Sequence, residues 1–75
     1  MMYQVCLQSE SMGLTSHRNI EADQDEEVRS QISSIQKEIS QQAGRSFFAT
    51  SIWRWEQSPN NPQGVMVAKR IPLIL

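Results

Sequence analysis

The chain has 75 residues, a formal net charge of −1, 39% hydrophobic residues and a single cysteine. That length allows one domain, 1–75, and so short a chain buries only about 60% of the surface its unfolded form exposes, so a protein partner or a second copy would help its small core. Cys6 has no intramolecular partner and suits a reducing, cytoplasmic setting. The first residues lack the basic and apolar regions of a secretory signal. The longest strongly apolar stretch, 71–75, is far short of the roughly 18 residues of a membrane span, so no membrane role is expected.

Charge is unevenly placed. Residues 1–43 carry seven acids against Arg18, Arg29 and Lys37, a balance of −4, whereas residues 44–75 carry Arg45, Arg54, Lys69 and Arg70 against Glu56, a balance of +3. Such asymmetry fits complementarity between two halves of a fold or of an oligomer, or an anionic partner for the C-terminal half.

Near the N-terminus, Tyr3, Val5 and Leu7 alternate with Gln4, Cys6 and Gln8, the period-two pattern of a half-buried strand over 2–8. Residues 9–22 are polar, with Met12, Leu14 and Ile20 irregularly spaced and Gly13 as a breaker, which predicts a flexible loop. A loop of that length inside a small domain is uncommon unless it has a task of its own.

The helix signal over about 24–43 is the strongest in the chain. Val28, Ile32, Ile35 and Ile39 fall on one stripe, with Ser, Gln and Lys on the other faces. Asp23 followed by Glu26 resembles a capping box, and Asp25, Glu26 and Glu27 suit the N-terminal dipole. Gly44 supplies the left-handed stop, with Arg45 next to the negative end of the helix.

Beyond Gly44 the chain turns aromatic and β-branched. A strand over about 46–56 is expected to place Phe47, Ala49, Ser51, Trp53 and Trp55 on one face and Phe48, Thr50, Ile52 and Arg54 on the other. Turn formers fill 57–64, and a second strand runs over about 65–71, closing a C-terminal hairpin. Pro72 cannot donate to a ladder, so Leu73 to Leu75 leave the sheet or lie at its edge. The predicted fold is a small α+β domain of order βαββ: one amphipathic helix on a two- to three-stranded sheet.

One helix with four apolar residues cannot cover Phe47, Phe48, Ile52, Trp53 and Trp55 together. The surplus predicts a non-enzymatic interaction or regulatory module that self-associates or binds a protein through Phe47, Phe48, Ile52, Trp53 and Trp55, with Leu73 and Leu75 of the tail. The alternative is a nucleic-acid-binding protein that stacks bases on Trp53 and Trp55 and meets phosphates with Arg45, Arg54, Lys69 and Arg70. Its basic residues are few for such a footprint.

Catalytic and metal readings find little to rest on. Cys6 and His17 are the only thiol and imidazole, in separate segments with no third orienting group, so no catalytic residue is assigned. One Cys and one His fall short of a structural metal site, the acids at 21–27 lack the calcium-loop arrangement, and no Gly-rich phosphate loop is present. Neither a metal nor a cofactor is expected.

Overall fold

A computed structural model describes residues 1–10, 13–58, 64 and 66–74. The chain runs β1 (Met2–Ser9), β2 (Thr15–Glu21), α1 (Asp25–Arg29), α2 (Ile32–Ala43), β3 (Phe47–Gln57) and β4 (Met66–Ile71). All strands join one antiparallel sheet of order β2-β1-β3-β4, an α+β fold with the expected C-terminal hairpin. Met12, the tip residues 59–63, Val65 and Leu75 lie outside the described residues.

The sheet has one strand more than the sequence predicts, because most of the expected loop 9–22 is β2. Only Ile20 is strongly apolar within Thr15–Glu21, so no period-two signal marks it; the strand exists through its ladder to β1, from Met2 opposite Glu21 to Gln8 opposite Thr15. The hairpin closes where the Ser9 amide donates to the Leu14 carbonyl at 2.8 Å and the Leu14 amide to the Ser9 hydroxyl at 3.0 Å. Gly13 supplies the positive φ of 64° that the turn requires.

The predicted helix is interrupted at Ser30-Gln31. The Ser30 hydroxyl and the Gln31 side-chain amide both donate to the Glu27 carbonyl, at 2.8 and 3.1 Å, while the Gln31 amide pairs with Val28 rather than with Glu27. These side chains compete with the backbone for one acceptor and so tighten the turn. The start also differs. Gln24 occupies the cap position without a side-chain bond, and Glu27, rather than Glu26, reaches back to the Asp23 amide at 3.5 Å. The stop is as predicted: Gly44 takes φ 70° and ψ 22°.

The core lies between the helices and one face of the sheet. Tyr3, Val5 and Leu7 of β1 pack with Val28, Ile35 and Ile39 above and with Ile52 and Ile71 beside them; Ile32 is only partly buried. The expected alternation of β3 breaks at one point. Cys6 opposes Ser51 while Leu7 opposes Ala49, so Thr50 is an extra residue bulged out of the ladder, its hydroxyl donating to the Cys6 carbonyl at 3.3 Å. On either side of the bulge the inward residues change parity: Phe47 and Ala49 before it, Ile52 and Arg54 after it, each opposite an inward residue of β1. Trp53 and Trp55 therefore do not share a face with Phe47.

Candidate functional site: the open sheet face

Both helices and Leu73 pack on the Tyr3–Val5–Leu7 side of the sheet. The strand residues of the opposite face follow from the ladders, row by row. Asn19, Gln4, Trp53 and Arg70 form one row, and Glu21 and Met2 with Trp55 and Ala68 the row beside it. His17, Cys6 and Ser51 form a third, with Thr15, Gln8 and Phe48 next to it. At the far end Gln57 opposes Met66, where β3 has run past the start of β1.

Apolar and aromatic side chains run along the length of this face. Phe48, in the row at one end, is 49% exposed, Met66, at the other end, 50%, and Met2 43%, large values for side chains of this kind on a folded domain. Trp53 and Trp55 are half-buried along the strand, and the Trp53 indole N–H donates to the Ser51 hydroxyl at 3.0 Å. That bond fixes the ring on the sheet and satisfies its one polar atom.

The predicted interface residues thus separate. Phe48, Trp53 and Trp55 stand together on the open face. Phe47 and Ile52, at 5% and 0% exposure, belong to the core, because the bulge at Thr50 turns them under the helices. Leu73 packs against that core, and Leu75 lies outside the described residues. Met2, Met66 and Ala68 join the face, though no local pattern in the sequence marks them; pairing register alone brings them there.

The basic residues also separate. Arg54 points to the helix side, where its Nη1 donates to both Asp25 oxygens at 2.9 and 3.0 Å and its Nε to Glu56 at 2.7 Å. Lys69, opposite it, lies 3.7 Å from Glu56. Arg45 follows the cap of α2, its amide bonded to the Ser40 carbonyl. Arg70 alone of the four stands beside Trp53 on the open face.

Beneath α1 lies a polar cluster that the sequence does not announce. The Tyr3 phenol, fully buried, donates to Asp25 at 2.7 Å, and Arg54 closes the cluster on its other side. The Tyr3 hydrogen bond, joined by Arg54, holds the Asp25 carboxyl below its ordinary range despite burial, while burial and the neighbouring Asp25 raise the Tyr3 phenol. The signs give two pH limbs. Asp25 contributes stability above its unfolded value of 3.8, lost as pH falls through the lower folded value. Tyr3 contributes stability below 10.0, lost as pH rises from there toward the higher folded value. Thermal melting is expected to be flat from roughly pH 5 to 9 and to fall on both sides. Tyr3→Phe should flatten the alkaline limb and Asp25→Asn the acid limb; limbs unchanged in these variants would place the titrating groups elsewhere.

Cys6 and His17, distant in sequence, are cross-strand neighbours on the open face. The thiol is 4.0 Å from the Gln4 side-chain oxygen. Among the described residues no group of three or more His, Cys, Asp or Glu side chains could hold a metal ion, and no helix is long and apolar enough to cross a membrane. An open groove of about 440 Å³ lies between β2 and the end of α2, lined by Leu14, Ile39, Ala43 and Phe47 among others. Comparison with protein-family models, curated proteins and solved structures finds no match.

Proposed function

We propose that this chain is a non-enzymatic protein-interaction module whose working surface is the open sheet face. The observation that carries the reading is the column Phe48, Trp53 and Trp55 on the side of the sheet away from both helices, flanked by exposed Met2 and Met66. Aromatic residues, Met and Arg are the types enriched at the centres of protein interfaces, and a rigid strand presents them at little conformational cost. Binding would bury these rings against apolar groups of a partner, with Arg70 at the margin. The lone thiol of Cys6 on this face suits a reducing compartment such as the cytoplasm.

The alternative, single-stranded nucleic acid stacked on Trp53 and Trp55, keeps its aromatic platform but has fewer cations beside it, since Arg54 and Lys69 are engaged with carboxylates on the other side. One experiment separates the two. A photoreactive phenylalanine analogue is placed at Phe48 and, as a control, at Lys37 on the solvent side of α2. In living cells we expect protein adducts from position 48 and few from position 37. Adducts with nucleic acid would favour the alternative, and equal labelling from both positions would remove the special status of the open face.

A further inference from the structure

We infer that the occupant of the open face is a second copy of this chain, related by a two-fold axis that runs along the strands between β1 and β3. The inference rests on the interaction reading above and adds the partner and its orientation. Among the strand residues of this face only two carry a formal charge, Glu21 and Arg70. They stand on opposite edge strands, in adjacent rows, with the apolar column between them.

An isologous face-to-face pair has two simple orientations. With the axis across the strands, each edge lies over its own copy: Glu21 meets Glu21, Arg70 meets Arg70, and the aromatic column meets itself. With the axis along the strands the edges exchange. Glu21 of each copy then lies over the Arg70 edge of the other, twice per dimer, and the bulky β3 column rests on the other copy's β1 column of Met2, Gln4, Cys6 and Gln8. Large side chains thus meet slender, unbranched ones, and Met2 comes to Trp55, a favourable sulfur–aromatic pairing. Charge and shape select the same orientation.

The overlap is modest. In this orientation the Gln57–Met66 row and the β2 residues Thr15 and His17 face no strand of the other copy, and the remaining positions, each about 4.8 by 6.7 Å, cover roughly 400 Å² per copy, or about 800 Å² for the pair, the size of a weak, transient interface. Glu21 also accepts from the Met1 ammonium at 2.8 Å, but at 69% side-chain exposure it remains reachable from the other copy. No ion pair holds Arg70 among the described residues.

Sedimentation equilibrium across a wide concentration range, on the wild-type chain and on Glu21→Arg and Arg70→Glu, tests this. We expect a monomer–dimer equilibrium weakened about tenfold or more in each single variant, since each homodimer then carries two like-charge edges. Mixing the two variants should restore wild-type affinity, because both edges of the mixed dimer again join opposite charges; an unfolded variant could not produce that rescue. A dimer indifferent to both substitutions, or one that mixing does not restore, overturns the orientation. A strict monomer at every concentration overturns the second copy, whereas adducts from position 48 to a different protein would leave the interaction reading standing.

Discussion

Deletion of Thr50 is expected to leave the fold intact, although the residue lies in the middle of the longest strand. Between Phe47 and Arg54, the stretch of β3 paired to β1, Thr50 is the one residue without a partner in that ladder, with Ala49 opposite Leu7 and Ser51 opposite Cys6. Without it the strand alternates regularly: Phe47, Ala49, Ile52 and Arg54 inward, and Phe48, Ser51, Trp53 and Trp55 outward, the same assignment as in the bulged strand. The β4 ladder begins at Ile52 and is unaffected. The loss is the Thr50–Cys6 hydrogen bond, about 0.5–1.5 kcal/mol, offset in part by the removed irregularity. Deletion of Cys6 is the counter-experiment. It removes a residue from a strand paired on both sides, so Tyr3 and Val5 must turn outward relative to Leu7. Exposing those two side chains costs roughly 3–6 kcal/mol, before the loss of the Tyr3–Asp25 bond. A chain of this size has a total stability of about 4–11 kcal/mol, so this deletion should abolish cooperative folding. Denaturant titration followed by tryptophan emission decides it: equal loss of stability in both deletions would show that Thr50 is not a bulge residue.

Ile35→Asp is expected to unfold the domain, and Ile32→Asp to be tolerated, although the two isoleucines share a stripe in the sequence. Ile35 is 5% exposed and sits in the core cluster, where an unpaired carboxylate costs on the order of several kcal/mol, much of the available total. Ile32 is the first residue of α2 and only partly buried. A carboxylate there is open to water and lies at the positive end of the helix dipole, so the net loss should stay near 1 kcal/mol. Far-UV circular dichroism with thermal melting reads both. A cooperative transition retained in Ile35→Asp would mean that α2 does not pack through this residue, and equal damage from both would mean that the helix runs unbroken through Ser30 and Gln31.

The aromatic surplus connects these results to function. A single layer of helices covers one face of a four-stranded sheet, and the bulge determines which β3 side chains that layer receives. It turns Phe47, Ile52 and Arg54 inward and leaves Phe48, Trp53 and Trp55 outside. Moving the bulge by one position along β3 would change the composition of the outer face without changing the amino-acid sequence on either side of it.

What the sequence determined by itself was local. The spacing of Val28, Ile35 and Ile39 marks a helix because a 3.6-residue period puts them on one face, and Gly44 marks its end because a left-handed residue is needed there. The alternation of Tyr3, Val5 and Leu7 marks β1, and the aromatic run beyond Phe47 marks β3, because each pattern is complete within a few residues. Tertiary structure decided the rest. β2 has no pattern of its own and is a strand only because β1 offers it a ladder. The break at Ser30-Gln31 depends on which donor wins the Glu27 carbonyl, the cluster of Tyr3, Asp25 and Arg54 joins three separate elements, and the parity of β3 depends on one unpaired residue. Period-two reasoning assumes an unbroken ladder, and only the partner strand shows where the ladder is broken.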